Sequence, residues 1–278
     1  MKTPEQLKGA IRNIARKNNL LSQEVLQMFF FERILERLSC SKYKDNFILK
    51  GGLLISSIIG IAERTTMDMD TTVRGIPMEE DMIRAILEEI IEIDIGDGIH
   101  FELVKMEPIR EDDVYNNFRA YLVAMYGKVN NPMKIDITTG DKITPAAIEY
   151  SYRMMFEDKN VSVMAYSLET ILAEKYETII RRNIGTTRAR DFYDLYILFR
   201  TRKDEIRREV LKLAVEHTAE KRGSQSLLVQ YEEICKELRD EQALHELWKN
   251  YIADNPYASH LQYDDMIENV LEAGRYIK

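Results

Sequence analysis

The strand candidates of this chain all fall within residues 47–138. Helical spacing precedes them and, from residue 167 onward, replaces them completely. Strands grouped this way and followed by helix after helix restrict the fold to the α+β class: one mixed sheet with its own helices, then a helical region. In the first forty residues, Ser22 is placed to cap a helix whose stripe is Val25, Leu26, Phe29, Phe30, Ile34 and Leu35. Residues 47–49 read as a strand entering a turn at Gly51-Gly52, and 53–61 as a buried helix. Residues 67–73 alternate as a strand. Pro77 suits the first turn of a helix that continues through 82–93. Residues 101–104, 118–125 and 133–138 are further strands. Helices are expected at 167–182, 188–202, 204–218, 224–239, 241–252 and 262–276, with the change of character between Thr144 and Ser167. The expected domains are 1–155 and 156–278.

Charge and cysteine content narrow the setting. The 278 residues are 45% apolar with a net charge of −8, enough to bury a core and stay soluble. That acidic balance argues against nonspecific coating of nucleic acid or of an anionic membrane, but not against a local basic surface. Residues 175–208 hold ten Lys/Arg against five acids, whereas 231–278 hold eleven acids against five bases. The first stretch could face a polyanion, or it could be a solvated helical face. Cys40 and Cys235 lie far apart and read as reduced thiols, and the four histidines are too scattered for a zinc site. Met1-Lys2-Thr3-Pro4-Glu5 lacks the apolar core of a signal peptide, and the apolar run 47–62 is interrupted and too short to span a bilayer. A cytoplasmic protein without membrane contact is expected.

The acids carry the chemistry. In Asp68-Met69-Asp70 the two carboxylates share a face if both lie on a strand, and close carboxylates repel unless a cation sits between them. Asp136 alternates with Ile135 and Ile137, an acid on the far side of a core-facing strand. Were that strand to neighbour the first, three carboxylates would converge, as a site for two magnesium ions requires. Gly51-Gly52, between a strand and a helix, permits close backbone approach and leaves helix N–H groups for phosphate, although an ordinary tight turn looks the same.

Two charges fall on apolar stripes. Lys175 lies within the stripe of Leu168, Ile171, Leu172 and Ile179. Asp191 leans toward Phe192, Leu195, Leu198 and Phe199. A buried ion pair satisfies both; so does a shared pocket in which the lysine meets a nucleotide phosphate. Arg190 and Asp194, four apart, could simply form a surface pair.

Four motifs in order resemble the AbiEii family of bacterial toxins, which includes the mycobacterial MenT toxins and belongs to the DNA polymerase β-like nucleotidyltransferases. They are Lys50-Gly51-Gly52 with Arg64-Thr65-Thr66-Met67-Asp68-Met69-Asp70; Lys134-Ile135-Asp136 with Gly140-Asp141 and Thr144-Pro145; Glu174-Lys175; and Arg188-Ala189-Arg190-Asp191-Phe192-Tyr193-Asp194-Leu195. The resemblance spans residues 47–195. Where the family often has a small hydroxyl residue after the glycines, this chain has Leu53 and Leu54, and the nearest hydroxyls are Ser56 and Ser57. The resemblance implies a nucleotidyltransferase domain at 1–155 and a helical domain at 156–278. It implies catalysis by Asp68, Asp70, Asp136, Lys175 and Asp191, and magnesium, two ions, on Asp68, Asp70 and Asp136. Contacts to an NTP fall to Gly51, Gly52, Ser56, Arg64, Thr66 and Lys175. It further implies a toxin of a toxin–antitoxin or phage-defence system that transfers nucleotides to RNA, the tRNA 3′ end above all, with a DNA-binding antitoxin that need not touch it. A nucleotidyltransferase acting on a small molecule or a protein is the alternative.

Overall fold

The computed structural model describes residues 3–109 and 116–278. Met1 and Lys2 of the amino-terminal reading lie outside these residues. The chain divides into two compact units, one made of Met1–Asp141 with Ile148–Ala165, the other of Lys142–Ala147 with Tyr166–Lys278.

The first unit opens with α1 (Pro4–Lys17) and α2 (Ser22–Cys40), followed by β1 (Phe47–Lys50), α3 (Gly51–Ile59), β2 (Met69–Val73) and α4 (Glu80–Ile91). Then come β3 (His100–Pro108), β4 (Phe118–Tyr126), β5 (Val129–Thr139), β6 (Ile148–Arg153) and β7 (Asn160–Ala165). Among the described residues the strands form one seven-stranded mixed sheet in the order β3-β4-β5-β2-β1-β7-β6. Strand β2 runs parallel to β5 and antiparallel to β1, and β1 runs parallel to β7. Alternation decides the faces: Met133, Ile135 and Ile137 of β5 are buried while Lys134 is exposed. Helix α2 packs against α1, α4 and β7, and α4 packs against β3.

The second unit consists of α5 (Leu168–Arg182), α6 (Ala189–Thr201), α7 (Arg208–Arg222), α8 (Gln225–Leu228), α9 (Tyr231–Asp240), α10 (Gln242–Asp254) and α11 (Tyr263–Ile277). Helix α6 packs against α5, α10 and α11, and its Phe192, Leu195, Leu198 and Phe199 are buried as their spacing requires. The separate segment 142–147 is tied into this unit through Thr144. Its N–H donates to Thr170 Oγ1 at 3.0 Å, its carbonyl accepts from the Ser167 and Thr170 hydroxyls, and its own hydroxyl meets His217 Nδ1 at 3.1 Å.

Several elements differ from the sequence expectation. Ser22 begins α2 itself; the cap is Leu21, whose N–H donates to the Glu24 carboxylate at 2.9 Å. Helix α3 starts at the glycines, not beyond them. Pro77 lies ahead of α4, which is capped at Glu79. Strand β2 begins at Met69, leaving Asp68 in a bend. Helix 224–239 is two helices, α8 and α9. Residues 156–165, expected after the division, belong to the first unit because β7 pairs with β1. No helix among the described residues is long and apolar enough to cross a membrane. Cys40 and Cys235 are both free thiols.

Helix α2 buries charge that no stripe predicts. Arg37 holds Asp97 with two bonds of 2.8 Å, and Glu32 is 1% exposed, accepting from the Met155 N–H at 2.9 Å. Burial pushes the Glu32 carboxyl up to about 8, against the opposing pull of the Met155 N–H and Arg33. A carboxyl whose folded value is raised favours the folded state below its unfolded value of 4.5, and that contribution is lost as pH rises toward 8. Glu32→Gln should therefore flatten the decline in stability between pH 5 and pH 8. At pH 8.5 it should be the more stable protein, by at most about 5 kcal/mol. Urea unfolding of both proteins across that range measures this; parallel curves would show that Glu32 stays ionised.

Candidate active site

The strand register draws four charged residues into one row across the sheet. Arg119 on β4 is opposite Asp136 on β5, Asp136 is beside Asp70 on β2, and Asp70 is opposite Lys50 on β1. Residues paired across neighbouring strands share a face, so this row lies on the side away from Ile135 and Ile137. Strands lie about 4.8 Å apart, which sets the two carboxylates side by side. Arg119 grips Asp136 through both oxygens, with Nε and Nη2 each at 2.7 Å, and this hydrogen bonding raises the guanidinium above its ordinary value. At the other end the Lys50 ammonium donates to Thr138 Oγ1 at 2.8 Å and to Asp141 Oδ2 at 2.5 Å. Both ends of the row are thus cationic, and neither Arg119 nor the Lys50–Asp141 bridge is among the expected site residues. A lone arginine on an alternating strand looks like a solvated position; Lys50 and Asp141 stand inside the quoted motifs.

The glycines answer to the acids beside them. Gly51 has φ +66°, and a Cβ there would come 2.1 Å from Asp70 Oδ2. A Cβ on Gly52 would meet Thr66 Oγ1 at 2.8 Å and Arg64 Nη2 at 2.9 Å. The two positions therefore press the start of α3 flush against the loop 64–70, and any side chain would part them. The Asp70 carboxylate lies at the first turn of α3, where the helix dipole favours an anion. Ser56 is buried, its hydroxyl donating to the Arg64 carbonyl. Arg64 is buried and bonds the Thr65 carbonyl. The Thr66 hydroxyl donates to the Asp68 carbonyl at 3.0 Å and accepts its N–H at 3.3 Å. These contacts hold the loop in shape.

The structure brings Asp70 and Asp136 together and keeps Asp68 in the bend ahead of β2. Among the described residues no three His, Cys, Asp or Glu side chains are grouped to hold a metal ion. The donors themselves suit magnesium: Asp70 and Asp136 are paired carboxylates on neighbouring strands, the hard oxygen ligands that this ion takes.

Within the helical unit, Lys175 of α5 meets two acids of α6, Asp191 Oδ1 at 2.6 Å and Asp194 Oδ2 at 2.8 Å. Burial alone would lower the ammonium, but the charges of Asp194 and Asp191 hold it above its ordinary value. Arg188 Nε reaches Asp191 Oδ2 at 2.6 Å. The Arg190–Asp194 surface pair is corrected here: the Asp194 side chain is fully buried on Lys175, and Arg190 is exposed. The basic stretch 175–208 is also heavily paired. Arg181 binds the buried Glu177, Arg202 binds Glu205 and Lys203 binds Glu272.

Comparison with known proteins then identifies the fold and the family. No curated protein matches the sequence. JHP933 from Helicobacter pylori superposes with a TM-score of 0.54 at 15% identity, over 93% of this chain and 91% of that one. Another H. pylori structure, which carries the name of a nucleotidyltransferase, superposes with 0.54 at 16% identity, over 93% and 94%. At such identities these likenesses establish the fold. The model of the nucleotidyl transferase AbiEii toxin family, a type IV toxin–antitoxin system, matches residues 33–270. The chain is a member of the AbiEii nucleotidyltransferase toxin family.

Proposed function

We propose that this toxin transfers nucleotides from an NTP to an RNA acceptor, the tRNA 3′ end above all, with magnesium held by Asp70 and Asp136 and completed by Asp68. The observation that carries the proposal is the register of β2 on β5, which sets Asp70 beside Asp136 with Gly51 closed against Asp70. Asp70, Asp136 and Asp68 would hold the magnesium, which would supply charge neutralisation for the triphosphate and acidify the attacking hydroxyl. The chain's own part is to hold the acids on rigid strands and to offer the first turn of α3, at Gly51 and Gly52, to phosphate. Ser56, Arg64 and Thr66 act by keeping the loop 64–70 in shape. For Lys175 and Asp191 the proposal is a role in holding the triphosphate, resting on the family motif; their buried cluster with Asp194 is accounted for by ion pairing alone. The protein works in the cytoplasm, and its partner is a DNA-binding antitoxin that need not touch it.

The pairing of Arg181, Arg188, Arg202 and Lys203 within the chain leaves less cationic surface than the sequence suggests. That observation favours the second reading, transfer to a small molecule or a protein. Purified protein incubated with magnesium and each labelled NTP in turn, with total RNA or with cell extract freed of RNA, separates the two.

Asp70→Asn should lower transfer by about a hundredfold or more in a protein whose melting curve shows it folded. Near wild-type transfer by this variant would remove Asp70 from the chemistry. Lys175→Met leaves Asp191 and Asp194 buried with their shared cation gone, and should destabilise the protein by about 3–5 kcal/mol. Chemical denaturation checks this. A variant as stable as wild type yet inactive would make Lys175 a group of the reaction rather than of the core.

A further inference from the structure

The grip of Arg119 on Asp136 has a bearing on cation binding. Asp136 presents two carboxylate oxygens, and Arg119 takes both, at 2.7 Å each. The two residues are opposite one another on β4 and β5, so the backbone register itself maintains the contact. Arg119 is the more accessible partner: its side chain is 37% exposed against 16% for Asp136. The guanidinium also meets the Tyr121 hydroxyl, whereas Asp136 stands beside Asp70 in the register of β5 on β2. A hard cation taken up by Asp70 and Asp136 needs at least one of the oxygens that the guanidinium holds.

We propose that Arg119 is a positioning residue that competes with the divalent cation for Asp136, offsetting the charge of that carboxylate before the cation arrives and withdrawing from at least one oxygen when it binds. The proposal rests on the assignment of Asp70 and Asp136 as metal ligands. The competition weakens metal affinity by the strength of the pair, and a part-exposed bidentate pair is worth on the order of tenfold in a binding constant.

The test is Mn2+ binding by titration calorimetry to the full chain, without nucleotide, for wild type, Arg119→Gln, Arg119→Lys and Asp136→Asn. Arg119→Gln should bind Mn2+ about tenfold more tightly than wild type. Arg119→Lys, whose single ammonium cannot fork across both oxygens, should fall between the two. Asp136→Asn should bind more weakly than all three. A melting curve of each variant verifies folding, and Arg119→Lys carries the comparison if Arg119→Gln does not fold. Equal or weaker binding by the folded Arg119 variants, with wild type binding Mn2+ through Asp136, overturns the competition and leaves the metal site standing. Absence of Mn2+ binding by every protein, or binding that Asp136→Asn leaves unchanged, overturns the metal assignment and the competition with it.

Discussion

Two carboxylates on adjoining strands repel, and the rest of the first unit is arranged around the pair formed by Asp70 and Asp136. Nothing in strand pairing itself favours this contact; like charges directly opposite destabilise a sheet. What offsets it comes from the elements on either side. Strand β4 supplies a guanidinium to Asp136, and β1 runs straight into a helix whose first turn lies against Asp70. The order β4-β5-β2-β1 is therefore the order in which the charges need their partners, and the glycines at 51 and 52 are the condition for the helix to come near enough.

The same principle governs the helical unit on a smaller scale. One ammonium, Lys175, serves two carboxylates that are almost wholly out of water, and Arg188 closes on one of them from the rim. Glu177, also fully buried, takes Arg181, Arg222 and Ser224. Such clusters add little net stability over an apolar core, but they tolerate only one arrangement of the helices that carry them. They also explain why a stretch rich in arginine need not be a surface for polyanions.

How much of this could be read from residues alone depends on whether a side chain's environment is set by its own element. Asp136 was legible because strand alternation places it opposite Ile135 and Ile137, and Lys175 and Asp191 because helical projection puts them among leucines. Alternation carries the strand one residue too far, to Asp68, since two Thr66 hydrogen bonds turn the chain before the strand begins. Asp194 was misjudged since local spacing offered Arg190, while a buried partner on another helix prevails. Arg119, Glu32 and Arg37 gave no signal: their partners come from distant segments, and a charged residue on a strand or helix ordinarily faces water. Strands β6 and β7 were overlooked because β6 is an edge strand with mostly exposed residues, although Val161, Val163 and Ala165 of β7 do alternate.

The path of the chain between its two units has a genetic consequence. It crosses from one to the other three times, at 141–142, 147–148 and 165–166. The short visit at 142–147 is fastened by Thr144 to Ser167, Thr170 and His217, all encoded further on. A gene truncated after residue 165 would keep every strand of the sheet but strip that loop of everything it is tied to. Exchange of the helical unit between related toxins by a single recombination would likewise bring in new helices while retaining the old loop. An exchange that carries both stretches together preserves the clasp whatever residues the donor has at 144, 167, 170 and 217.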